Sequence, residues 1–115
     1  MREMIHFTTC LAENTVPLCR HLAPFIQAEL DIPIQFVNDI SWEEREKRLA
    51  AGSFQMGWIC GLLFARLRTE VNVPLHVLAA PIMLGNEYAN RPVYFSRLVV
   101  RQDSPYRSFA DLRGV

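Results

Sequence analysis

Phe54-Gln-Met-Gly-Trp-Ile-Cys-Gly-Leu-Leu-Phe-Ala-Arg-Leu67 reads as an apolar strand that reaches Gly61 and passes at once into a helix. A strand that is apolar on both sides belongs to a parallel sheet covered on each face by crossover helices. Glycine at its carboxyl end leaves room for a ligand to approach the backbone, and strand carboxyl ends are where open α/β sheets bind small molecules. The fold turns on whether similar strand-helix units flank this one.

They do on both sides. Met4 to Thr9 is strand-like and leads into Cys10-Leu-Ala-Glu-Asn-Thr-Val-Pro17, where Asn14 or Thr15 suits a helix cap and Pro17 the first turn. Leu18, Leu22, Phe25, Ile26 and Leu30 then recur at three- and four-residue steps, an apolar stripe of helical period, with a kink or a late helix start expected at Pro24. Ile34 to Val37 gives a second strand. Ser41-Trp-Glu-Glu44 is a capping box, and Lys47, Arg48 and Gly52 close the same helix in agreement with its dipole and a left-handed end. Its charged run, including Arg45, reads as a solvated face with Glu43 to Lys47 and Glu44 to Arg48 pairs.

Gln55 to Cys60 is the third strand, with a helix from about Leu62 to Thr69, and Val73 to Ala80 the fourth, ended by Pro81. Gly, Asn and Pro mark a loop from Leu84 to Pro92, and Val93 to Arg101 is a fifth extended run. Asp103-Ser-Pro105 turns the chain, and Ser108-Phe-Ala-Asp111 opens a helix with almost no room to continue. The expected fold is a three-layer α/β domain over residues 1–103, with a mainly parallel five-stranded sheet flanked by helices. Residues 104–115 form a turn and the start of the next helix.

Composition narrows the function. With 115 residues, 50% of them hydrophobic, the chain can hide roughly two-thirds of its unfolded surface in one core. Twelve basic and twelve acidic residues cancel, which disfavours nucleic acid and anionic membranes as partners. Cys10, Cys19 and Cys60 are odd in number and form no CxxC, so neither a disulfide framework nor a zinc site is indicated, and no cofactor motif is present. Met1-Arg-Glu-Met-Ile-His-Phe7 is no signal peptide, so the chain stays in the cytoplasm or its export segment has been removed. No apolar run approaches the ~20 residues of a membrane span.

Four stretches carry a family likeness: Phe7-Thr-Thr-Cys-Leu-Ala-Glu-Asn14, Met56-Gly-Trp-Ile-Cys-Gly61, Arg91-Pro-Val-Tyr-Phe-Ser-Arg-Leu-Val-Val100 and Arg101-Gln-Asp-Ser-Pro-Tyr-Arg-Ser-Phe-Ala-Asp-Leu-Arg-Gly114. In order and content they resemble the first lobe of the phosphonate, phosphate and phosphite substrate-binding proteins of ABC importers, whose fold is the type II periplasmic-binding fold. The resemblance implies one wall of a cleft that closes by a hinge on a small oxyanion, an importer membrane subunit as partner, a periplasmic location and no catalysis. In the family a second lobe adds a serine-rich helix amino terminus. Residues 1–115 alone are therefore expected to bind weakly and to expose a surface suited to homodimer formation. Leu62, Leu63 and Phe64 stand where the family often has proline and tyrosine, which argues against polar contacts from that loop.

The candidate ligand-binding residues are Thr9, Cys10, Glu13 and Asn14 on the first loop, Asp39 after the second strand, Trp42, Cys60, Gly61 and Tyr94. Free N–H groups at the helix start favour anions, although ordinary capping uses the same residue types. Trp42 and Tyr94 match family positions that offer aromatic faces, with core packing as the competing role, whereas strand alternation sends Trp58 into a covering layer. Glu13 and Asp39 suit a cationic or hydroxyl group of the ligand, or simply the helix dipoles. Two rivals remain: an intracellular sensing or interaction module, consistent with the three thiols, and a thiol enzyme built on Cys60. The second would need His6, His21 or His76 beside the sulfur.

Overall fold

The structure, a computed structural model, describes residues 2–115. Three strands, β1 (Ile5–Thr9), β2 (Ile34–Phe36) and β3 (Met56–Trp58), form a parallel sheet in the order β2-β1-β3. The register places Phe7 opposite both Phe36 and Met56. Each strand precedes a helix: α1 (Val16–Leu30), α2 (Trp42–Ala50) and α3 (Gly61–Thr69).

Alternation along the strands separates two cores. Phe7, with Ile34, Phe36, Met56 and Trp58, packs on Cys19 and Ala23 of α1. Cys10, with Val37 and Ile59, packs on Leu49 of α2 and on Leu63 and Leu67 of α3. Helices thus cover the two faces of one sheet, which is why the central strand is buried through Phe7, Thr8 and Thr9. A Cβ at Gly57 would stand 3.1 Å from Leu49 Cδ1, so glycine there lets α2 seat closely on the sheet.

The inward stripe of α1 differs from the expected one. Val16, Cys19 and Ala23 are buried, while Leu18, Phe25 and Leu30 are exposed. Small side chains on the inner face let the helix approach the sheet, and hydrophobicity alone does not distinguish the two stripes. Pro24 neither delays nor ends the helix, which runs on to Asp31 in the left-handed region at φ 52°. Nor does Asn14 or Thr15 cap it with a side chain; a 3-10 turn, Glu13–Thr15, leads in instead.

Ser41 caps α2 as expected, accepting from Glu44 N–H at 3.2 Å. The Glu44 carboxylate bonds Arg48 at 2.8 Å, and Gly52 turns the chain at φ 80°. Among the described residues no Glu43–Lys47 ion pair forms within 4.0 Å. Ser41→Ala is expected to lower stability by about 1 kcal/mol, with Ser41→Asp restoring most of it. Urea unfolding reads this directly, and an unchanged midpoint for the alanine variant would refute the cap.

The chain divides after His76 into two units. Val77–Val115 contains two 3-10 turns, Asn86–Tyr88 and Phe109–Leu112, and no strand pairing among its described residues. The expected fourth and fifth strands, Val73–Ala80 and Val93–Arg101, carry no ladder. Where their backbone N–H groups are engaged the bonds are short-range, Val73 to Leu67 O, Leu75 to Val73 O and Val93 to Arg91 O. Extended composition makes a strand only where a neighbouring backbone supplies partners. Ser108 does open a short turn, with the Asp111 carboxylate accepting from the N–H groups of Arg107 and Ser108 at 2.8 and 2.7 Å. These bonds hold the Asp111 carboxyl below the usual carboxylate range.

Candidate functional site

All three strands run parallel, so the chain leaves their carboxyl ends on one side, through Thr9 to Thr15, Val37 to Ser41 and Ile59 to Gly61. Eight of the nine expected site residues fall on these segments or on the first helical residue after them. Tyr94 lies in the second unit, outside any helix or paired strand, with its side chain exposed.

The first segment is held from within. The fully buried Thr9 hydroxyl lies 3.1 Å from that of Thr15, reaches Trp58 O at 3.4 Å and accepts from Leu11 N–H at 3.3 Å. Thr15 donates to Ala12 O at 2.8 Å, and Cys10 N–H bonds Trp58 O at 3.0 Å. Thr8 ties the second segment by donating to Val37 O at 2.7 Å. Thr9 and Cys10 therefore shape the loop, whereas Ala12, Glu13 and Asn14 are exposed on it. Burial pushes the Cys10 thiol up to about 11 despite the nearby Arg45 charge, so it stays protonated at neutral pH.

Trp42 is 42% exposed at the start of α2, so it is not a core residue here, and Asp39 is exposed beside it in sequence. Trp58 is half-buried against α1, in the covering layer expected for it. Cys60 caps α3, its Sγ accepting from Leu63 N–H at 3.4 Å. Beside Gly61 a Cβ would meet nothing within 4 Å, which leaves the backbone open to approach. His6 is half-buried near the amino end of β1, opposite the strand end at which Cys60 lies, and His21 and His76 are exposed. Among the described residues no group of three or more His, Cys, Asp or Glu could hold a metal ion, and no helix is long and apolar enough to cross a membrane.

The residue that sequence reasoning missed is Arg45. It is buried on the inner face of α2, donates from Nη1 to Thr9 O at 3.0 Å and places Nη2 3.6 Å from Glu13 Oε1. A signal was present: Leu49 is the large apolar residue of α2 that must face the core, and the residue four before it lies on the same face.

A family profile described as "ABC transporter, phosphonate, periplasmic substrate-binding protein" matches residues 8–115. Comparisons with curated proteins and with solved structures give no match. The profile covers β2, β3, all three helices and the last two residues of β1, with the segments leaving the strand carboxyl ends, and by that match the chain belongs to the family of phosphonate-type periplasmic substrate-binding proteins of ABC transporters.

Proposed function

We propose that the chain recognises a small oxyanion, such as a phosphonate, phosphate or phosphite, and presents it to the membrane subunit of an ABC importer in the periplasm. The observation that carries this reading is the gathering of three strand ends, each followed by a helix amino terminus, on one side of a parallel sheet. Such ends present free N–H groups and partial positive charge to an anion. In this reading Thr9 and Cys10 fix the first loop from behind, Glu13 and Asn14 are its exposed polar side chains, and Asp39, Trp42, Cys60 and Gly61 continue the wall. By the family likeness Tyr94 is a further ligand contact. β1, β2 and β3 belong to one lobe of a type II periplasmic-binding fold. Binding is without bond making or breaking, and hinge closure against a second lobe completes the grip.

One wall alone binds weakly. Titration of residues 1–115 with methylphosphonate, phosphate and phosphite, followed by amide NMR, is expected to shift residues 10–14 and 38–42 with half-saturation at about 1 mM or above, equivalent to roughly 4 kcal/mol or less of binding. Chloride at matched ionic strength is expected to leave them in place. Micromolar affinity would show that these residues make the whole grip, and responses no larger than those to chloride would refute oxyanion recognition.

A further inference from the structure

Arg45 is 5% exposed, yet its charge is incompletely answered within the chain. A guanidinium carries five N–H donors. One bonds Thr9 O at 3.0 Å, and among the described residues the buried Nε has no hydrogen-bond partner. Glu13 stands at 3.6 Å, beyond hydrogen-bond range, with 79% of its side chain exposed to competing water. Cys10 supplies no counter-charge, since burial keeps its thiol protonated. A buried cation with donors left over is costly unless an anion of matching geometry takes them. This one lies against both ends of the Thr9 to Glu13 loop.

We propose that Arg45 is an anion-binding residue of this loop, taking a tetrahedral phosphoryl-type oxyanion on its planar fork, and that Glu13 is the resident carboxylate which the ligand displaces. The proposal rests on the oxyanion reading above and adds to it the cation that the ligand meets and the carboxylate that competes for it. Arginine suits the task because its fork matches two oxygens of a phosphoryl group at once, which a lysine ammonium cannot do. Glu13 suits displacement because it sits on the loop, largely in water, in a loose pair.

The test uses the 15N-labelled 115-residue chain, following the side-chain Nε–Hε resonance of Arg45 together with the loop amides during titration with methylphosphonate, phosphate and chloride. The Arg45 signal is expected to move in step with the loop amides for the first two and to stay for chloride. Glu13→Gln, at an exposed position, is expected to tighten phosphate binding about 3- to 10-fold, and Arg45→Lys to weaken it at least 10-fold. Should Arg45→Lys fail to fold, the wild-type resonance and Glu13→Gln still decide. Loop amides that respond to methylphosphonate while Arg45 stays fixed and Glu13→Gln changes nothing would overturn the role of Arg45 and leave oxyanion recognition standing. Silence from both the loop and Arg45 would overturn both. Equal movement with chloride would overturn the phosphoryl assignment.

Discussion

Phe7→Ala is expected to lower the unfolding free energy by about 3–5 kcal/mol, the largest loss from any single side chain in the strand-helix unit. Phe7 is 1% exposed on the central strand, and its ring lies 5.3 Å from that of Phe36, tilted by 52°. It faces Met56 across the other strand pair and packs on Cys19 and Ala23 of α1. Truncation to alanine opens a cavity touched by two strands and a helix, none of which can collapse without giving up its own contacts. Domains of this size hold about 5–15 kcal/mol in all, so the loss is a large fraction of the total. The urea midpoint is expected to fall by more than about 1 M at an ordinary slope. Phe7→Leu, which refills most of the space, is expected to lose much less. A loss below about 1 kcal/mol for the alanine variant would show that the sheet is not packed around this ring. The consequence reaches the loop, since Thr8 and Thr9, the next two residues, hold Val37 and Thr15.

The three strand-helix units were legible because each apolar run is bounded by residues that state their conformational role. Ser41 caps α2, Gly52 ends its turn, and the run into Gly61 changes period where α3 begins. Strand positions came within a residue or two for β1 and β2, while β3 proved shorter, Met56–Trp58 against Gln55 to Cys60. The face of α1 was not legible. Leu18 and Phe25 carry more hydrophobicity than Cys19 and Ala23, but distance of approach to the sheet selects the smaller pair. Arg45 was hidden by its neighbours, since a run of charges reads as solvated until the position of Leu49 fixes which side turns inward. Val93 to Arg101 shows the opposite failure, having the composition of a strand without a paired neighbour. For the site, topology placed the loops. Which of their residues are scaffold and which are surface depends on packing: Thr9 and Cys10 resemble ligand contacts in sequence, yet both are buried.

Raising the pH from 9 to 11 is expected to remove about 2 kcal/mol of stability through Cys10 alone, most of the roughly 2.7 kcal/mol to which two pKa units correspond in full. Its thiol is raised from 9.0 to about 11, first by burial, which the Arg45 charge opposes and Glu46 and Cys60 reinforce. Below pH 9 the thiol is protonated in both folded and unfolded chains and stability does not depend on it. Between 9 and 11 the unfolded chain gives up the proton while the folded chain keeps it, so the balance shifts toward unfolding; above 11 both have ionised and the loss levels off. Cys19, also raised by burial, adds a slope of the same sign, so the measurement is a comparison. Urea midpoints of wild type and Cys10→Ala from pH 8.5 to 11 are expected to converge, the variant starting lower through its lost packing and falling less steeply. Parallel curves would show a thiol of ordinary acidity and an open loop. A wild type that gained stability relative to the variant as the pH rose would mean that Arg45 had overcome burial and held a thiolate. In that case its guanidinium would already be neutralised, with no charge left to offer an incoming oxyanion. A neutral Cys10 and an anion-seeking Arg45 are thus two consequences of the same burial, and the alkaline limb of the stability curve reads the first without any ligand.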